Sequence, residues 1–264
     1  MKIGPGRWTV VHELRPRATK QLLCFHHAGG GANSFRDWPR SLGEDVEVVA
    51  VQLPGRENRF SEPALIDAET IVERLSAHLV GVLRPGYVIF GHSLGASLGY
   101  LFARRAERSE DLPSPTRLIV SAAAPPISRQ EMSSPRASKA EPSPEDLVAQ
   151  LSRYGGTPPV LLDNAAHMNL FVQILRNDLR VFASVPRQGN PPIAAPITVV
   201  YGTEDEACDD SDMSAWSHLS DGDTAVHPLP GGHFYLLGEQ RRFFDILSRC
   251  LVDDAREADG QSAI

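Results

Sequence analysis

Apolar residues fall into short unbroken runs, separated by longer stretches in which they recur every three or four positions. The runs are Gln21-Leu22-Leu23-Cys24-Phe25, Val46-Glu47-Val48-Val49-Ala50-Val51-Gln52-Leu53, Tyr87-Val88-Ile89-Phe90, Leu118-Ile119-Val120 and Ile197-Thr198-Val199-Val200-Tyr201. Such continuous β-branched runs predict strands buried on both faces, as in a parallel sheet. Between them, 67–83 sets Ile71, Leu75, Leu79 and Val82 at helical spacing, 94–108 follows the third run directly, and 243–251 closes the pattern. Strand–helix alternation predicts one α/β domain over 1–264, with a mostly parallel central sheet and helices on both faces. The polar tail 253–264 is expected to fray.

One stretch, 125–186, breaks the alternation. Residues 128–144 are rich in Ser and Pro and read as a loop. Ser143-Pro144-Glu145-Asp146 reads as a helix start, and Gly155-Gly156 as its end. Residues 164–182 carry Met168, Phe171, Ile174, Leu175 and Leu179 at helical spacing. An insertion of this length between two strands exceeds a plain connection, and predicts a helical lid.

Composition narrows the function classes. The 264 residues suit one domain, and a formal net charge of -7 argues against nucleic acid as the main partner. No run of about 18 apolar residues predicts a membrane span. The first residues lack the apolar centre of a secretion signal. Cys24, Cys208 and Cys250 fit no disulfide framework and no zinc spacing, and Cys24 in its strand pattern is expected to be buried. A reducing, cytoplasmic location is the expectation, with no metal.

The chemistry gathers at Gly91-His92-Ser93-Leu94-Gly95, a G-x-S-x-G pattern between a predicted strand and a predicted helix. A serine at that turn is held above the sheet edge. A side chain at Gly91 or Gly95 would strike the neighbouring helix or strand, and the Leu94 N–H and the helix N-terminus face the reacting oxygen. The serine needs a base, and the base an orienting acid, in the chain order Ser, acid, His. After the last run comes Gly202-Thr203-Glu204-Asp205-Glu206, where Asp205 is the choice and Glu204 the alternative. His12, His26, His27, His78, His92 and His167 precede the acid. His218 sits in a helical pattern and His227 inside a strand pattern, 225–229. His233, in the loop Pro230-Gly231-Gly232-His233-Phe234, remains as base. The glycine-rich His27-Ala28-Gly29-Gly30 suits the second oxyanion donor, the Ala28 N–H.

Phe25-His26-His27-Ala28-Gly29-Gly30, Leu53-Pro54-Gly55-Arg56-Glu57, the serine motif and Gly232-His233-Phe234 occur in an order that resembles the type II thioesterases. These are free-standing editing enzymes of polyketide and nonribosomal peptide synthesis. Gly155-Gly156-Thr157-Pro158-Pro159 and Leu175-Arg176-Asn177-Asp178-Leu179 resemble that family's lid. The similarity spans roughly 22–251. It implies an α/β-hydrolase fold and hydrolysis of acyl thioesters on the phosphopantetheine arm of an acyl or peptidyl carrier protein. Ser93, Asp205 and His233 would form the triad, and Ala28 and Leu94 the oxyanion hole. The enzyme would need no cofactor of its own, and a monomer is expected. His26 departs from the family's usual Pro. Programmed release of a medium-chain or pathway intermediate, a carboxylesterase on small esters, and an inactive carrier-binding scaffold are the competing functions. Because carrier proteins and this chain are both acidic, docking would rely on local arginines, with Arg36, Arg40, Arg56, Arg59, Arg176 and Arg180 as candidates.

Overall fold

The computed structural model describes residues 2–3, 8–127 and 165–260. Its strands are β1 (Lys2–Ile3), β2 (Thr9–Val11), β3 (Lys20–Phe25), β4 (Val46–Val51), β5 (Val88–His92), β6 (Arg117–Ser121), β7 (Ile197–Gly202) and β8 (Thr224–Leu229). They form one eight-stranded sheet in the order β1-β2-β4-β3-β5-β6-β7-β8. The β1–β2 and β2–β4 pairings are antiparallel, and all the others are parallel. The helices are α1 (Ala68–Leu79), α2 (Leu94–Ala106), α3 (Ala165–Ser184), α4 (Asp210–Ser214), α5 (Tyr235–Gly238) and α6 (Gln240–Gly260).

The unbroken apolar runs have a direct cause. Side chains alternate across a strand, so each central strand feeds two cores. Leu23 and Phe25 join Ile89, Leu118, Val120 and Val199 under α1 and α2, with Leu75 and Leu101 from those helices. Leu22 and Cys24 join Val88, Phe90, Ile119 and Val200 on the other face, under Phe243, Leu247 and Leu251 of α6. Each such side chain contributes about 1.5–3 kcal/mol on burial, so a polar residue on either face would be costly.

Three boundaries differ from the sequence reading. The antiparallel strands β1 and β2 lie at the edge beside β4, too short to stand out as apolar runs. Helix α1 stops at Leu79, with Gly81 following at φ 73°, so Val82 packs on the core from the turn beyond. The tail expected to fray continues as α6 to Gly260, because Asp253-Asp254-Ala255-Arg256-Glu257-Ala258 carries no helix breaker.

Of the 125–186 insertion, residues 125–127 and 165–186 are described, and the helix expected from Ser143 lies outside the described residues. The second expected helix is α3. Its Val172 and Leu175 are buried, with Met168, Leu179 and Ala28 packed around them. Helix α3 therefore sits on the loop that follows β3.

Candidate active site

Ser93 lies between β5 and α2 with φ 55° and ψ −119°, a backbone that side chains rarely adopt. Such a conformation costs about 1–3 kcal/mol and persists only where its surroundings enforce it. The enforcement is visible. The Ser93 N–H donates to the Ser121 carbonyl at 2.8 Å. A Cβ on Gly91 would overlap the Gly95 carbonyl, and one on Gly95 would overlap the carbonyl oxygens of Phe25 and His26. Both glycines let α2 start hard against β5 and the end of β3, as the motif requires. Ser93 is left half-buried.

Asp205 follows β7 and His233 follows β8, and His233 Nδ1 bonds Asp205 Oδ2 at 2.8 Å with both side chains buried. A carboxylate can only accept here, so Nδ1 carries the proton, and Nε2 is the nitrogen with the lone pair that can act as base. Burial alone would raise the Asp205 carboxyl. The His233 bond and charge, the Ala207 N–H at 2.9 Å and the Cys208 thiol at 3.2 Å outweigh it and hold the group below its ordinary value. The alternative acid, Glu204, is exposed. His233 reaches the elbow through His92, the neighbour of Ser93: their ring centroids are 5.1 Å apart. Phe234 closes the group, 4.9 Å from His27, 5.2 Å from His92 and 5.3 Å from His233.

Ala28 lies in the loop after β3, and Leu94 is the first residue of α2. Among the described residues, neither backbone N–H has a hydrogen-bond partner. The loop is tightly braced. The His27 carbonyl accepts from His26 Nδ1 at 2.8 Å and from the Gly30 N–H at 3.0 Å. Thus His26 holds the loop by a hydrogen bond from its own ring. The Ala32 N–H donates to Gln52 Oε1 at 2.9 Å, and Glu57 accepts the Asn33 N–H at 3.2 Å. Burial of His26, with the nearby Arg56 charge, lowers its pKa to about 3, Asp178 opposing. His27 is lowered to about 4 for the same first reason. Both rings stay neutral and structural, and among the described residues no His, Cys, Asp and Glu cluster could hold a metal ion.

Two docking candidates are corrected here. Arg56 is 3% exposed and Asp178 is 0% exposed; they pair at 2.6 and 2.7 Å. Arg59 is buried, donates to the Gln52 carbonyl and to Glu62, and lies over the Trp8 ring at 4.6 Å. Neither is a surface group. Arg36 and Arg180 are exposed, Arg176 is half-buried, and exposed Arg40 pairs with Asp37. Sequence reasoning missed Ser121 and Tyr235. Ser121 Oγ is 2.8 Å from His92 Nδ1 and 2.7 Å from the Tyr235 hydroxyl, a buried polar chain beneath the elbow. Nothing in their local sequence marks them. Arg56 and Asp178, by contrast, lie in Leu53-Pro54-Gly55-Arg56-Glu57 and Leu175-Arg176-Asn177-Asp178-Leu179, two of the segments that carry the family resemblance.

The thioesterase domain family model matches residues 20–251. The gramicidin S biosynthesis protein GrsT of Aneurinibacillus migulanus is 28% identical over 93% of this chain and 94% of its own length. The human medium-chain S-acyl fatty acid synthase thioesterase is 31% identical over 89% of each. Among solved structures, the type II thioesterase BorB of the borrelidin biosynthetic cluster superimposes with a TM-score of 0.80 at 30% identity, covering 92% of this chain and 97% of BorB. RedJ, from the prodiginine pathway of Streptomyces coelicolor, gives 0.79 at 31% identity, covering 88% and 90%. With elbow, fold and family model coinciding over nearly the whole chain, the protein belongs to the thioesterase family, and it is an enzyme of the type II thioesterase kind.

Proposed function

We propose that Ser93, His233 and Asp205 are the catalytic triad of a thioesterase that removes acyl groups from the phosphopantetheine arm of acyl or peptidyl carrier proteins, editing stalled or aberrant intermediates. His233 Nε2 takes the Ser93 proton as Oγ attacks the thioester carbonyl. The N–H groups of Ala28 and Leu94, with the α2 N-terminus, receive the developing oxyanion. The imidazolium then protonates the departing thiolate sulfur, and water that gives a proton to His233 attacks the acyl-serine, the proton passing on to Ser93 Oγ as the acid leaves. Asp205 keeps Nδ1–H facing it and stabilises the imidazolium. No cofactor is needed for these steps. The observation that carries the reading is the buried Asp205–His233 bond beside a serine at positive φ. The buried thiols of Cys24, Cys208 and Cys250 suit a cytoplasmic setting.

Carrier specificity is tested by kcat/KM for a panel of acyl-loaded carrier proteins against a matched small acyl ester. The reading requires preference for the carrier-bound thioesters. A preference for the free ester makes the enzyme a carboxylesterase. The 31% identity to a fatty acid synthase thioesterase favours a second reading, release of medium-chain products. Selective turnover of medium-chain acyl groups alone would establish it.

A further inference from the structure

The loop after β3 is held by groups that arrive from two other segments. The Gly29 N–H donates to Asp178 Oδ2 at 2.7 Å, and the Gly30 carbonyl accepts from Arg56 at 3.0 Å. Asp178 belongs to α3, and Arg56 to the turn after β4. One carboxylate thus accepts the Gly29 N–H and both arms of Arg56. Helix α3 also presses Phe171 on this loop: a Cβ on Gly29 would lie 2.8 Å from Phe171 Cζ.

The consequence is geometric. Peptide units are planar and trans, so each N–H points away from the carbonyl of its own unit. The His27 carbonyl is fixed by two donors, His26 and Gly30. That aims the Ala28 N–H the opposite way. The next unit is fixed by the Gly29 N–H bond to Asp178. The two planes meet at Ala28, so its N–H cannot turn while both anchors hold. An apolar pair in place of Arg56 and Asp178 would pack α3 on the body equally well. It could not accept the Gly29 N–H.

We propose that Asp178 is a positioning residue that presets the Ala28 N–H as oxyanion donor, with Arg56 holding its carboxylate in place. The oxyanion hole is then complete only while α3 is seated on the loop. This rests on the assignment of Ser93 as nucleophile and Ala28 as donor.

The test uses Asp178→Asn and the double variant Arg56→Met/Asp178→Leu, which removes both charges and keeps the volume. Turnover is followed on a short acyl thioester. Binding is measured for two analogues of it, a trifluoromethyl ketone that forms a tetrahedral serine adduct and a thioether that does not. Losing one oxyanion donor costs about 10²–10³ in kcat, and a misplacement near 1 Å about 10². The double variant should therefore lose roughly 100-fold in kcat, and Asp178→Asn roughly tenfold, with KM within about twofold. Affinity for the ketone should fall by the same factor, while the thioether binds as to the parent. The pH profile of kcat/KM should keep its midpoint, because Asp205 and His233 are untouched. A double variant that melts with the parent and keeps kcat within about twofold overturns the proposal. So does equal loss of both analogues, which marks a merely structural pair. Ser93→Ala is run alongside: retained turnover there overturns the serine assignment and this proposal with it. An inactive Ser93→Ala beside a fully active double variant overturns the positioning role alone.

Discussion

Acidification from about pH 7.5 to about pH 5.5 should destabilise the protein through two histidines that the fold keeps neutral. His26 and His92 are both 2% exposed, and each uses Nδ1 in a hydrogen bond. Among the described residues, Nε2 of each has no partner. A proton placed there would be buried without an acceptor. Burial first, and Arg56 second, lower His26 to about 3 against the pull of Asp178. Burial, reinforced by His233 and His27, lowers His92 well below its ordinary value. In the unfolded chain both titrate near about 6.5. Across this window the unfolded state therefore binds protons that the folded state does not, so stability is full above the unfolded value and falls as pH drops. The difference is about 1.4 kcal/mol per histidine, or about 2.7 kcal/mol for the pair. Half-buried His27 adds in the same direction. Urea unfolding, followed by tryptophan fluorescence at the two pH values, measures it. In His26→Asn the amide nitrogen stands close to Nδ1 and does not titrate, so its loss should be about 1.4 kcal/mol smaller than the parent's. Equal stability of the parent at both pH values, or a His26→Asn loss as large as the parent's, would refute the reasoning.

Asp205→Asn should lower kcat by about 10⁴, while Glu204→Gln stays near the parent; the reverse pattern in steady-state kinetics would move the acid to Glu204. Gly95→Ala should yield little folded protein, because its methyl group overlaps the Phe25 and His26 carbonyls; a parental melting curve would contradict the packing of the elbow. Charge reversal at exposed Arg36 or Arg180 should weaken kcat/KM for acyl-carrier protein, more at low salt, and leave a small acyl thioester unchanged. Equal effects on both substrates, or none on either, would argue against docking through these arginines.

The chemistry-bearing turns were legible because local constraints create them. Gly91 and Gly95 are demanded by a turn that collides with itself and with the end of β3, Asp205 follows an apolar run that stands out, and His233 was reached through the chain order and the glycine loop it sits in. Arginine 56 was misread for the opposite reason. Its neighbours in sequence look like a surface turn, and its buried partner lies 122 residues away. Charge predicts exposure unless a partner is supplied, and only the tertiary fold supplies Asp178. The chain from His92 through Ser121 to Tyr235 was hidden likewise, since three strand and helix ends must meet before the bonds exist. The strands β1 and β2 escaped because two or three residues carry too little periodicity to register.

The central claim is that Ser93 performs the hydrolysis, and intact-protein mass spectrometry of an acyl-loaded carrier protein tests it most directly. The parent enzyme should return the carrier to its free-thiol mass, and acyl-Ser93 should be seen as a transient mass increase on the enzyme. Ser93→Ala, folded like the parent, should leave the acyl-carrier mass unchanged apart from the small residual rate that binding and the oxyanion hole sustain. Deacylation by Ser93→Ala within about tenfold of the parent rate would contradict the account.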